Sequence, residues 1–493
     1  MSRSKTLGFL LLSAAFAATS CKMGTMANEQ PQTPPAPSAP VVIDGIRTSY
    51  ADVVDRTSIA VVRIEAEIKE KAPQAGPQGP MQFPFGDDFF KQFPQQQPQR
   101  PQVQRGAGSG VIVKADGTIL TNNHVVAGAE KITVLMSDNK SFEAKIIGTD
   151  EPSDLAVIKI EGENLPFLNL GDSDQVRVGD IVLAIGNPLG IGQTVTAGII
   201  SAKGRRTGLS DGSFEDFLQT DAPINRGNSG GALVNLNSEL IGINSQILSP
   251  GGAQGGNIGI GFSIPSNMAK SVLEQLVTNG KVRRGRLGIG IQDLSDDVAE
   301  NFNAKGKKGV IVTSVRPGSS AEKAGLKRDD IVVAINDEKI EDTNVLRNKV
   351  AGTLPGTQIK ISILRDGSPQ ELTATLDEFE LESAKSGENS PGGKSDPSTE
   401  KGGKLGVGLQ PVTPQMATQL GLESAQGLVV TEVDPSGPSA SAGIIRGDVI
   451  TEINRKAVST VEDVRAALDA GVGKPVLLLV TRRGQTVYLT VRP

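Results

Sequence analysis

The stretch INRGNSGGAL, residues 224–233, sets one serine among glycines and an asparagine. A Gly-rich turn between two strands is one reading. The other is a nucleophile whose neighbours present bare backbone N–H groups to a reacting oxygen. Glycine serves the second use because it adopts positive φ and lets backbone come close. Which reading holds depends on the rest of the chain.

A base is needed to activate a serine hydroxyl, and the chain has one histidine, His124, in TNNHVV. A lone histidine excludes ordinary His-based zinc sites but suffices for a general base. Asp154 stands in SDLAVIKI, just before an apolar run. Taken singly, each of these residues has a plainer reading: a strand-end histidine, a turn aspartate, a glycine turn. Together, in the order His124, Asp154, Ser229 on a β-rich chain, they form the set that acyl transfer requires. That set is a nucleophile, a base to take its proton, and a carboxylate to hold the base in one tautomer. The order is that of chymotrypsin-like enzymes rather than of subtilisins or α/β-hydrolases. The backbone at Gly227, Asn228 and Ser229 is the candidate oxyanion hole, with the N–H groups of Gly227 and Ser229 as donors.

The chain's 493 residues exceed a single ordinary core, so several domains are expected. Hydrophobic residues make 37% and charged residues 21%, which is globular composition. Aromatics at 3% and 58 glycines point to many turns and a β-rich fold. A net charge of −5 gives no basic footprint for nucleic acid. No phosphate-cradling GxxxxGK[ST] motif is present, so ATP use is not expected, and no cofactor or metal is called for.

Residues 1–21 read as an export signal. Arg3 and Lys5 form the basic start, and the apolar run from Leu7 to Ala18 is too short to stay as a membrane span. The single cysteine, Cys21, rules out an internal disulfide. Two cleavage sites compete: after AFA at 15–17, or at the lipobox-like ATSC, which would turn Cys21 into a lipid anchor. Residues 22–40 are a Pro-rich linker. A globular region over 41–280 is interrupted at 72–104 by Gln/Pro sequence carrying Phe83, Phe85, Phe89, Phe90 and Phe93. That segment either folds back on its own domain or docks on a neighbouring subunit. Short apolar runs between turn signals favour a sandwich or barrel. SNMAKSVLEQLVTNG at 266–280 has helical spacing with a glycine stop.

The C-terminal part is an internal repeat. LGIGIQ at 287–292 recurs as LGVGLQ at 405–410, and AGLKRDDIVVAIN at 324–336 as AGIIRGDVITEIN at 442–454. The copies occupy 284–378 and 404–493. The linker between them, 379–403, would span roughly 25–30 Å as a flexible coil, enough for the modules to move independently.

The motifs TNNHVV, DLAVIKI, QTDAPINRGNSGGALVN and GGNIGIGFSIPSNM, with the two repeats, make the chain similar to the bacterial HtrA proteases. The resemblance implies a mostly β chain: a trypsin-like double β-barrel followed by two PDZ domains, which take extended peptides as an added strand. It implies that Ile224, Ile247 and Ile260 line a shallow apolar specificity pocket for small aliphatic side chains. It implies that Leu287, Gly288 and Ile289, and likewise Leu405, Gly406 and Val407, bind peptide carboxylates. Two departures stand out: Pro223 occupies a usual alanine position, and SPGGAQGGNIG is slightly expanded. The expected role is an ATP-independent periplasmic endoprotease acting on unfolded polypeptides, with chaperone activity and assembly as trimers or multiples of trimers. A single-target signalling protease and a PDZ-based holdase are the alternatives.

Overall fold

The computed structural model describes residues 42–43, 46–69, 103–188, 192–207, 214–225, 227–248, 256–379, 400–402, 405–420, 422, 424–469 and 475–492. The export signal, Cys21, the Pro-rich linker and the five phenylalanines of segment 72–104 lie outside these residues.

A short hairpin, β1 (Val42–Ile43) and β2 (Ile46–Arg47), and helix α1 (Ala51–Thr57) lead into the first barrel. Its strands are β3 (Val61–Lys69), β4 (Val103–Lys114), β5 (Thr118–Thr121), β6 (Lys131–Leu135), β7 (Ser141–Asp150) and β8 (Leu155–Ile160). The single-turn helix α2 (Asn123–Val126) follows β5. The strands close in the order β3-β4-β5-β8-β7-β6. The second barrel closes as β10-β11-β14-β13-β12-β9. These strands are β9 (Ile181–Gly186), β10 (Thr194–Arg205), β11 (Phe217–Thr220), β12 (Ala232–Asn235), β13 (Leu240–Ile247) and β14 (Gly261–Pro265).

LAVIKI is apolar on both faces because each face has its own core. Leu155 and Val157 join the cluster between the barrels, while Ala156, Ile158 and Ile160 fill the first barrel. In β9, Leu183 and Ile185 face the inter-barrel cluster, and Val182 and Ala184 fill the second barrel. This two-residue alternation follows from the strand pleat. Helix α3 (Ser266–Asn279) adds Ala269, Val272, Leu273 and Leu276 to the inter-barrel cluster and ends on Gly280 at φ +69°. No helix among the described residues is long and apolar enough to cross a membrane.

The first repeat module contains β15 (Gly285–Arg286), β16 (Ile289–Asp293), β17 (Val310–Val315), β18 (Ile331–Ile335), β19 (Glu338–Lys339), β20 (Gln358–Arg365), β21 (Ser368–Thr375) and β22 (Asp377–Glu378). Its helices are α4 (Asp296–Asn301), α5 (Ser320–Lys323) and α6 (Thr343–Gly352). The second has β23 (Glu400–Gly402), β24 (Val407–Pro411), β25 (Leu428–Val433), β26 (Val449–Ile453), β27 (Lys456–Ala457), β28 (Val476–Arg482) and β29 (Gln485–Val491), with α7 (Pro414–Gln419), α8 (Pro438–Ser441) and α9 (Val461–Asp469). The repeat extends to its electrostatics. Arg365 grips buried Asp330 and donates to the Gly325 carbonyl. Arg482 does the same with Asp448 and Gly443.

The two modules pack against each other. Phe302, Ile311 and Ile331 of the first share one buried cluster with Leu477, Leu479 and Tyr488 of the second. Phe302 and Tyr488 meet edge to face, with centroids 5.3 Å apart. Linker length sets what the modules can reach, but burying apolar surface decides where they rest.

The first module is also tied to the first barrel. Arg284 bonds Asp150 through both terminal guanidinium nitrogens, at 2.7 and 2.5 Å. It also lies over the Phe214 ring, 4.7 Å from its centroid.

Candidate active site

The cleft between the barrels brings His124, Asp154 and Ser229 together. Asp154 sits at the end of the 3-10 turn 151–153 in a left-handed conformation, φ +53°. Aspartate tolerates that region better than most residues. The turn places its backbone and carboxylate against residues 122–124. Its carbonyl accepts from Asn122 Nδ2 at 2.9 Å and from the Asn123 N–H at 3.1 Å. Its carboxylate accepts from the His124 N–H at 3.0 Å and meets His124 Nδ1 at 2.8 and 3.0 Å. An ionised carboxylate only accepts, so Nδ1 carries the proton and Nε2 presents its lone pair. The imidazole is half exposed.

Ser245, on β13, is a partner that the sequence reading missed. Its hydroxyl donates to Asp154 Oδ2 at 2.9 Å, and its carbonyl accepts the Ser229 hydroxyl at 3.0 Å. One residue thus touches both acid and nucleophile. The Ser229 hydroxyl is turned to this carbonyl rather than to His124. The only sequence signal for Ser245 was its place on a buried strand sixteen residues after the candidate nucleophile.

The glycines around Ser229 are needed for close approach. A Cβ on Gly230, at φ +82°, would lie 2.1 Å from the Ser109 carbonyl oxygen and 2.3 Å from Thr121 Oγ1. One on Gly231 would lie 2.2 Å from the Ile185 carbonyl oxygen. Gly227 stands at φ +95°, its carbonyl held by the Ser109 hydroxyl at 2.6 Å. Ser109 in turn accepts from the Asn187 N–H at 2.8 Å. Among the described residues, the N–H groups of Gly227 and Ser229 have no backbone or side-chain acceptor. Asn228, between the two expected donors, spends its own N–H on the Asn225 carbonyl at 3.0 Å.

Of the three expected pocket residues, Ile224 and Ile247 share one cluster, with Ile224 only 1% exposed. Gly261 makes room for it, since a Cβ there would lie 2.9 Å from Ile224 Cδ1. Ile260 is a neighbour in backbone, where its carbonyl accepts from Leu248 at 3.2 Å. Its side chain packs instead with the inter-barrel cluster.

In the repeat modules, Leu287 and Leu405 are buried anchors, and Gly288 and Gly406 take positive φ. Ile289 and Val407 open β16 and β24. The two modules then differ. β16 is the outermost strand of its sheet among the described residues, whereas β24 is already paired by β23. The carboxylate-site expectation for Leu405, Gly406 and Val407 therefore meets an edge occupied by the chain itself.

Residues 108–243 match the trypsin-like peptidase domain, and residues 285–376 and 429–482 each match a PDZ domain. A Chlamydia trachomatis (serovar D) protein named probable periplasmic serine endoprotease DegP-like is 43% identical over 415 residues, covering 83% of this chain and 80% of its own. The chain belongs to the HtrA family of serine endoproteases. The Escherichia coli K12 periplasmic pH-dependent serine endoprotease DegQ is 39% identical over 488 residues, 98% of this chain and 96% of the relative. Among solved HtrA structures, the HtrA-type protease AlgW with tripeptide is 39% identical, with TM-score 0.55 over 68% of this chain and 98% of that one. AlgW with decapeptide is 41% identical, with TM-score 0.53 over 68% and 100%. The two barrels and two repeat modules are thus the double barrel and PDZ pair of an HtrA serine endoprotease.

Proposed function

We propose that this HtrA chain is an exported, periplasmic and ATP-independent endoprotease that cuts unfolded polypeptides through Ser229, His124 and Asp154. The observation that carries the reading is the fixed Asp154–His124 pair, with hydrogen bonds of 2.8 and 3.0 Å, joined through Ser245 to a serine flanked by unspent N–H groups. His124 Nε2 takes the Ser229 proton as Oγ attacks the peptide carbonyl, forming a C–O bond. Asp154 holds the ring and stabilises the imidazolium. The N–H groups of Gly227 and Ser229 meet the oxyanion, and losing one such donor costs about 10²–10³ in rate. Collapse of the intermediate breaks the C–N bond, and the leaving amine takes the proton back from His124. Water then hydrolyses the acyl-enzyme by the same route.

The apolar pair Ile224 and Ile247, with Ile224 only 1% exposed, favours small aliphatic side chains before the cut. A folded substrate cannot lay extended backbone into the cleft, which restricts cutting to unfolded chains. The first PDZ domain, whose β16 is a free sheet edge among the described residues, serves as a tether for peptide ends, and this peptide-holding surface supports a chaperone role. Segment 72–104 is the candidate for assembly into trimers or multiples, and Cys21 for a lipid anchor. A second reading rests on the Ser229 hydroxyl being bonded to Ser245. On that reading the site awaits an activator and cuts one envelope target.

Digestion of casein and of a stably folded control tests this, with Ser229→Ala as the blank. Cutting of casein alone, and only by the wild type, is the expected result. An inert wild type refutes general degradation. Recovery of cutting on adding a peptide activator then selects the signalling reading.

A further inference from the structure

We propose that the two PDZ modules build one composite peptide site, in which an acidic carboxyl-terminal tail adds to β16 and packs its outward side chains against the second module. The proposal rests on the tether reading above and extends it. PDZ domains take peptides on a free strand edge; here the second domain supplies the opposite wall.

The first observation is a cavity of about 1000 Å³. One side is the β16 groove of the first module, with Ile289 and Ile291 on the strand and Leu346 and Val350 on α6. The other side is the second module, with Thr451 and Glu452 on β26 and Gln485 and Thr486 at the start of β29. The groove is therefore a channel between domains rather than a trench on one of them.

The second observation is what holds that wall in place. Gln292, at the far end of β16, clasps the main chain of Tyr488. Its Nε2 donates to the Tyr488 carbonyl at 2.8 Å, and its Oε1 accepts from the Tyr488 N–H at 2.7 Å. The Tyr488 hydroxyl donates to Asp329, and burial together with this bond pushes its pKa well above the usual tyrosine range. Arg328 adds a 2.6 Å pair with Glu452 across the modules. The strand that receives the peptide is thus the strand that fixes the second module.

The third is charge. Among the described residues the lining carries four guanidinium groups, on Arg286, Arg316, Arg328 and Arg347, against one carboxylate, Glu452. Arg347 makes no ion pair among the described residues. Burial first, and then the nearby Arg206, lower its pKa, with Glu215 opposing. The excess of positive charge selects anionic tails.

The fourth is the state of the other edge. In the second module Gly402 pairs with Val407, Lys401 with Gly408 and Glu400 with Leu409, where a peptide would add to β24. With that edge filled, the second PDZ acts as a wall.

The test uses the full chain with Ser229→Ala and fluorescent peptide tails, glutamate-bearing or with glutamine in the same places, each with a free or amidated terminus. Gln485 is exposed and belongs to the second module, so its substitution leaves both cores intact. Gln485→Glu should weaken the acidic free-carboxylate tail about two- to fivefold, the scale of an exposed charge pair. Gln485→Lys should tighten it by a similar factor, both effects fading with salt, and the glutamine tail should respond to neither. Binding of the acidic tail that ignores both substitutions overturns the composite site while leaving the first PDZ as a tether. Equal binding of the amidated tail overturns the terminal carboxylate as the recognised group. Absence of any tail binding removes the tether reading itself, and this proposal with it.

Discussion

Replacing Arg284 by methionine should loosen the active centre from outside it. Arg284 and Asp150 have side chains only 9% and 6% exposed, and their two-fold bond joins the first PDZ to the end of β7. Asp150 also accepts from Ser153 in the turn that delivers Asp154. The Phe214 N–H bonds Pro152 in the same turn at 2.8 Å. Methionine keeps much of the side-chain bulk but leaves a buried carboxylate with one hydroxyl donor. Breaking a buried pair from one side costs about 3–5 kcal/mol, because the orphaned charge stays desolvated. For a domain of this size that is a fall of about 6–20 °C in melting temperature, at about 2–4 °C per kcal/mol. The double variant Arg284→Met/Asp150→Leu removes both charges and should recover most of the loss. Calorimetry in a Ser229→Ala background reads the melting without self-digestion. Activity of the Ser229 form, measured well below melting, should show Arg284→Met lowering kcat. A shift below about 2 °C, or a double variant no better than the single one, refutes the reasoning.

Ser245→Ala removes one hydrogen bond to the Asp154 carboxylate. Bonds to charged groups are worth about 1.5–3 kcal/mol, so kcat should fall about one to two orders of magnitude with KM little changed. An unchanged kcat shows that Ser245 does not position the acid. Asp216 is held above the usual carboxylate range by burial first, and then by Asp174 and Asp342, with Lys203 opposing. A raised folded pKa means the ionised form is penalised in the folded state. The penalty is complete above the folded pKa and gone below the ordinary value of about 3.9. Asp216→Asn should therefore raise the melting temperature at neutral pH, with the gain shrinking as pH falls toward about 4. A gain independent of pH rules out this origin.

The sequence exposed the parts of this fold whose physics is local or periodic. Short apolar runs such as LAVIKI announced the strands of a sandwich or barrel, and the glycines around Ser229 announced backbone under close contact. The repeat was visible because both modules solve the same packing problem, including the Arg365–Asp330 and Arg482–Asp448 pairs. Contacts between distant residues left no such trace. Arg284 and Asp150 are separated by 134 positions, and Gln292 and Tyr488 by 196. Nothing in the spacing of either pair marks it. Ser245 was invisible for a related reason, since it acts from a strand that the pattern explains as core. Linker length spoke only of the modules' reach and carried no trace of the apolar faces that meet at Phe302 and Tyr488.

The proposed active centre is divided between two separately closed barrels. His124 and Asp154 come from the first, Ser229 and Ser245 from the second, and the inter-barrel cluster together with the Ser109–Gly227 and Ser245–Asp154 bonds sets their spacing. A copy whose barrels slip apart loses its chemistry while each barrel still stands. Such a copy cannot digest its intact neighbours; it becomes a loosened chain for them to cut. The division works as an interlock, so that only a molecule in good repair carries a working blade.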